Sequence, residues 1–132
     1  MSNLETIQGL YDAFARGDIE SILEALHPEI EWLEPEIEGL LYGGTHHGLE
    51  AVCNEVLALI PQTWEKVELR PEQWIDSGDT VVVVGQFNAR GKGGQEGSWR
   101  FAHVWKMRDG KGLRVEPFVD TLAEQRALAT AS

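Results

Sequence analysis

Near Trp64 the hydrophobic pattern of this chain changes its period, and that change limits the folds open to it. Before it, apolar residues recur three and four apart: Leu4, Ile7, Leu10, Tyr11 and Phe14 share one helical face. After it they alternate, and Thr80 to Ala89, with four consecutive valines, reads as a buried strand. Helices segregated ahead of a strand meander make an α+β protein. A twisted, mostly antiparallel sheet of this size is expected to curl around the N-terminal helices as a curved cone. Its pocket would lie between the concave face and the first helix. At 132 residues, one domain over 1–132 is expected, large enough to bury a core without staples.

Local signals order the elements. Ser2 and Glu5 have capping-box spacing, and Gly17 suits the left-handed stop of a first helix. Asp18 caps a second helix with Ile19, Ile22, Leu23 and Leu26 on its face, stopped by His27-Pro28. Residues 29–35 read as a short strand, and a glycine-rich loop from Gly39 to Gly48 leads into a third helix ending at Pro61. Strands follow over 67–75, 80–89, 97–107 and 113–120, then a short helix from Thr121. Pro71 marks an edge or a bulge, and Asp109-Gly110 a tight turn.

Charge narrows the partners. Residues 1–68 carry 14 acids against 2 bases, and the whole chain has a net charge of −11. Binding to phosphate backbones or anionic membrane surfaces is therefore not expected. No apolar run approaches the roughly 20 residues of a membrane-spanning helix, and the N-terminus lacks a signal-peptide pattern, so a cytoplasmic protein is expected. The single cysteine, Cys53, excludes an internal disulfide and reads as inert helix packing. Adjacent His46 and His47 point apart and make a poor metal pair, so no metal is expected. Gly91 to Gly97 lacks the Lys-Ser/Thr ending of a phosphate loop and reads as a hairpin, so no cofactor is expected either.

Several stretches resemble the nuclear-transport-factor-2-like superfamily, in its SnoaL-like branch of polyketide cyclases and ketosteroid-isomerase relatives. They are Leu10-Tyr11-Asp12-Ala13-Phe14-Ala15-Arg16-Gly17-Asp18, Ile30-Glu31-Trp32-Leu33-Glu34-Pro35, and Gly44-Thr45-His46-His47-Gly48-Leu49-Glu50-Ala51-Val52. His103-Val104-Trp105-Lys106-Met107-Arg108-Asp109-Gly110-Lys111 and Phe118-Val119-Asp120-Thr121 extend the likeness over nearly the whole chain. The resemblance implies a cystatin-like roll. It does not fix the chemistry, because such a fold hosts enzymes and non-enzymes.

Four residues are candidates for chemistry. Strand alternation puts Ile30, Trp32 and Glu34 on one face, so an inward face would desolvate the Glu34 carboxyl and raise its pKa toward a general-base range. The resemblance implies the same role, an acid just before a proline serving as the proton shuttle. The competing reading is a rim glutamate beside Glu36 and Glu38. His103 alternates with Trp99, Phe101 and Trp105, opposite Arg100, Ala102 and Val104, which would keep its imidazole neutral among aromatics or satisfied in the core. Asp120 resembles the acid/base of SnoaL-like cyclases, although Thr121 and Glu124 have capping-box spacing and Asp120 can instead cap the last helix. Tyr11, on the inner face of the first helix, is placed to donate to an enolate oxygen or to serve as a core tyrosine. Trp32, Tyr42, Trp64, Trp99, Phe101 and Phe118 offer an aromatic lining for a small hydrophobic ligand, with Trp74 nearby.

Three functions follow. The first is a cofactor-free isomerase or cyclase that removes a proton alpha to a carbonyl, with Asp120 or Glu34 as base. The second is a non-catalytic ligand-binding or dimerisation module, pairing as a homodimer through an outer sheet face that carries Val82, Val84, Ala102 and Val104. The third, epoxide hydrolysis, is disfavoured because Ala102 stands where such relatives place an acid and Arg100 faces away. An open cavity joining two of Glu34, His103, Asp120 and Tyr11 would favour the enzyme. A filled one, with Asp120 bonded only to backbone, would favour the module.

Overall fold

Ser2 opens the first helix with both halves of a capping box, and Gly17 closes it at φ 68°. In the computed structural model, which describes residues 1–129, this helix is α1 (Asn3–Arg16), followed by α2 (Ile19–Glu24) capped by Asp18. The chain continues through β1 (Leu26–Glu34), β2 (Gly44–His47), α3 (Leu49–Glu55), a 3-10 turn (Leu57–Leu59) and α4 (Ile60–Thr63). It ends with β3 (Trp64–Ser77), β4 (Thr80–Gly91), β5 (Glu96–Arg108), β6 (Lys111–Val119) and α5 (Thr121–Leu128). The expected α+β architecture is present: a curved, open six-stranded sheet in the order β2-β1-β6-β5-β4-β3 with the N-terminal helices against it.

Four details depart from the expected elements. Leu26 and His27-Pro28 belong to β1 rather than to the end of α2, because the helix stops after six residues at Ala25. The loop before α3 holds a strand, β2, whose four residues are too short to show a period and which forms by pairing with the end of β1. The third helix is broken in two, since Pro61 falls in the first turn of a new helix instead of ending the old one. β1 also pairs parallel with β6, while every other pairing is antiparallel. Pro71 marks both an edge and a bulge: β3 is the outermost strand, and its register with β4 shifts between Pro71 and Gln73.

Alternation sets the two faces of the sheet. Val81, Val83, Phe101, Trp105, Met107 and Val115 point inward onto Ile7, Leu10 and Tyr11 of α1. A second cluster, with Tyr42, Val56, Trp64, Ala89, Trp99 and Ala127, fills the other end of the concavity. Trp32, Ile60, Phe87 and Val119 pack against both clusters and so stand at the seam between them. The seam is where space remains.

The last turn of α5 lies unusually close to the sheet. A Cβ on Gly91 would sit 2.2 Å from the Ala127 carbonyl oxygen, and one on Gly97 would meet the Ala127 Cβ at 3.1 Å. Gly91→Ala must therefore push α5 outward. It should destabilise the protein by about 1–3 kcal/mol, read as a lower thermal midpoint with faster amide exchange in α5.

Candidate active site

The seam encloses a cavity lined by residues of the first helix, the sheet and the last helix. Leu10, Tyr11 and Phe14 come from α1, Trp32 and Glu34 from β1, His103 and Trp105 from β5, and Glu124 from α5; Tyr42 and Phe87 complete much of the wall. It offers about 60 Å³ to the centres of water molecules. That admits several waters or one small ring.

Glu34 reaches this space because it alternates onto the same inward face as Ile30 and Trp32. The Trp32 indole Nε1–H donates to Glu34 Oε2 at 2.7 Å. Burial pushes the Glu34 carboxyl up to about 8, against the pull of that indole, and the charge of Glu124 adds to the rise. Burial also raises Glu124, to about 7. Near neutral pH the two carboxyls are therefore close to their own titration.

A second chain of hydrogen bonds crosses from the sheet to α1. Trp105 Nε1–H donates to Tyr11 Oη at 3.0 Å, and Tyr11 Oη lies 2.5 Å from His103 Nδ1. The Tyr11 hydroxyl donates to Nδ1 when the His103 proton is on Nε2, and accepts from Nδ1 in the other tautomer. Burial holds His103 down at about 3, so the ring is neutral at any working pH. Burial drives the Tyr11 hydroxyl far above the ordinary phenol range, so it remains a donor. Phe101 packs tilted against His103, ring centroids 4.2 Å apart, and Trp74 meets Tyr11 edge-on at 5.4 Å. Tyr42 Oη accepts from Trp64 Nε1 at 2.8 Å, and burial, reinforced by the charge of Glu34, keeps it protonated too.

The structure thus brings together Glu34, His103 and Tyr11 with Trp32 and Tyr42. Trp64, Trp99 and Phe101 stand behind them as buried packing. Asp120 and Phe118 are elsewhere. Both face outward, with Phe118 51% exposed, and the Asp120 carboxylate caps α5 by accepting from Ala123 N–H at 3.0 Å. The shared face of the two residues follows from alternation. Which way it points was set by Val115, Pro117 and Val119, which take the inside. Arg100 also lies outside, paired with Glu72 at 2.8 Å.

Glu124 is the residue that sequence reasoning missed. Asp120, not Thr121, is the N-cap, so Glu124 falls one place beyond the capping-box position and is released to the buried side with Ala127. The available signal was an acid on the same helical face as Ala127 and Leu128. His46 is held away from the cavity, with Nδ1 2.9 Å from Glu55 and Nε2 2.9 Å from the Tyr42 carbonyl. Among the described residues no group of three or more His, Cys, Asp or Glu is placed to hold a metal ion. Nor is any helix long and apolar enough to cross a membrane.

Comparisons with known proteins place these features. The family described as the SnoaL-like domain matches residues 7–115. A structure of TerC, co-crystallised with polyporic acid, is 37% identical and superposes with a TM-score of 0.88, covering 96% of this chain and 97% of that one. An NTF2-like protein of unknown function from Burkholderia pseudomallei is 30% identical, with a TM-score of 0.89 over 98% of this chain and 100% of that one. A putative SnoaL-like polyketide cyclase from Jannaschia shares the fold at 19% identity, with a TM-score of 0.82 over 98% and 93% of the two chains. No curated protein matches the chain.

The buried acids make stability depend on pH. Folded Glu34 titrates near 8 against an ordinary value of 4.5, so the native state holds the extra proton in between, and stability falls as pH rises through that window. Glu124 acts in the same direction. His103 acts in the opposite direction, but only between its ordinary 6.5 and about 3. From pH 6.5 to 8.5 the protein should lose on the order of 2 kcal/mol through Glu34, and Glu34→Gln should flatten that decline in urea unfolding.

Proposed function

The chain belongs to the SnoaL-like domain family, and we propose that it is a cofactor-free isomerase or cyclase acting on a small hydrophobic carbonyl compound. The observation that carries this reading is the convergence of a desolvated carboxyl, Glu34, with the neutral Tyr11–His103 pair on one apolar cavity. The Glu34 carboxylate takes a proton from the carbon alpha to the carbonyl. Electrons of that C–H bond move into the carbonyl, and the oxygen becomes an enolate. His103 Nε2–H donates to that oxygen, while Tyr11 holds the other ring nitrogen. Protonated Glu34 then returns the proton, or the enolate carbon attacks a second carbonyl and closes a ring. Donors already in place in an apolar site lose little to reorganisation as the charge develops. Asp120 has no part in this scheme.

The size of the cavity favours a substrate that presents one small ring or chain end to these groups. TerC, 37% identical, was co-crystallised with polyporic acid, which favours a small organic molecule as the ligand here. A non-catalytic ligand-binding module is the second reading, favoured by the narrowness of the cavity and by the purely capping role of Asp120. Pairing with a second copy through Val82, Val84, Ala102 and Val104 is part of either reading; Val104→Asp should then halve the mass seen in sedimentation.

Deuterium uptake at the alpha carbons of phenylacetone, followed by NMR, separates the readings. The enzyme should accelerate uptake, with a rate that climbs with pH to half its plateau near pH 8, as the Glu34 carboxylate forms. Glu34→Gln should cost about 10²–10⁴-fold, and Tyr11→Phe about tenfold or more. If phenylacetone binds, shown by shifts of cavity resonances, and uptake stays at the uncatalysed rate, the chain is a binding module.

A further inference from the structure

An open apolar groove lies against the outer side of the cavity wall. Its sides come from the end of α1, from α2, from the broken helix after α3 and from β3, the edge strand. On the measure that gives the cavity about 60 Å³, the groove offers about 660 Å³. Phe14, Ile60, Val67 and Leu69 line both spaces and so stand between them. All four are hydrocarbon side chains, and all four are half-buried. From this continuity we propose that the groove is the outer half of one ligand site. It takes an unbranched apolar arm of a molecule whose carbonyl-bearing end lies in the cavity.

The arm site rests on the enzymatic reading of the cavity and extends it to the shape and chemistry of the ligand. The cavity has room for one small ring or chain end, so a longer molecule must leave it through a wall. The neck formed by Phe14, Ile60, Val67 and Leu69 offers no hydrogen-bonding side chain. A polar segment crossing it would lose its water without replacement. An alkyl segment has no hydrogen bond to lose and is stabilised by burial.

The groove itself keeps to the same chemistry. Ile22 and Leu57 are buried in its lining, while Ile19, 37% exposed, and the exposed Ala15, Ala58 and Pro61 leave it open to solvent. Its charged lining residues are Lys66 and Glu68, which alternate with Val67 and so point toward the other face of the sheet. There Glu68 accepts from Asn88 Nδ2 at 2.9 Å. Charge is thus kept to the edge of the groove, and a neutral arm suits it better than an ionised one. A second copy of the chain seated on the groove would cover the neck, whereas the arm of a small molecule uses groove and cavity together.

Binding of the straight-chain methyl ketones from 2-butanone to 2-nonanone to the full chain, followed by NMR, tests the arm site without any turnover. Beyond 2-pentanone, each methylene half-buried in the groove should tighten binding about twofold, so 2-nonanone should bind roughly tenfold or more tightly than 2-pentanone. Its terminal methyl should show NOEs to Ile19 and Ala58. Ala58→Trp and Ala15→Trp, both at exposed positions of the groove, should fill it and flatten the series to within about threefold. A flat series in the wild type, a slope that persists in both variants, or NOEs from the terminal methyl to another surface would overturn the arm site. Groove resonances that move on dilution of the protein and not with ketone would overturn it too, as the sign of a second copy seated there. Groove-dependent binding without alpha-carbon exchange upholds the arm site and sinks the enzymatic reading. Exchange of 2-pentanone with a flat series does the reverse.

Discussion

Ionisable groups reach the cavity without a countercharge, and the character of the site follows from that. Its described lining holds Glu34, Glu124, Tyr11, Tyr42 and His103, with no lysine or arginine. Desolvation then favours the neutral form of each: carboxyls and phenols rise, and the imidazole falls. Such a site rests as a set of neutral donors and acceptors and becomes charged only when a proton moves. In a medium of low dielectric, that moment is when a fixed donor has its largest effect.

Tryptophan supplies most of the fixed donors. Trp32, Trp64 and Trp105 each point an indole N–H at a polar atom of the cavity wall: Glu34 Oε2, Tyr42 Oη and Tyr11 Oη. An indole donates without accepting and adds no charge, so it orients an acceptor and leaves the apolar surroundings intact. Its ring also builds the wall, as Trp105 does against Trp32 at 5.9 Å and Tyr11 at 6.4 Å. Trp99 differs. It stacks on Phe87 at 4.9 Å, and its buried Nε1 has no partner among the described residues, so its contribution is packing.

Topology explains why α5 meets Glu34 at all. β1 and β6 run parallel, with Trp32 opposite Val115, so both strands finish at the same end of the sheet. β1 ends at Glu34, and β6 delivers the chain beside it, where Asp120 turns it into α5. Had β6 met β1 antiparallel, the helix would start at the far end and Glu124 would be remote. The glycines at 91 and 97 then let the helix settle close against the sheet.

The sequence by itself determined what depends on neighbours along the chain. The caps at Ser2 and Asp18, the stop at Gly17, the two-residue period of the strands and the common face of Ile30, Trp32 and Glu34 are local properties, legible from residue type and spacing. The change of period at Trp64, read with the family resemblance, located the α+β roll and five of the residues that line its cavity, Tyr11, Trp32, Glu34, Tyr42 and His103. Only the tertiary structure decided which face of a strand is inside, because alternation fixes parity and leaves the direction open. Phe118 and Asp120 share a face as their spacing requires, yet Val115, Pro117 and Val119 bury better and turn that face outward. The β2 pairing, the parallel β1–β6 contact and the inward turn of Glu124 likewise arise between segments far apart in the chain. Their energies come from burial and hydrogen bonding across the fold, which no local pattern contains.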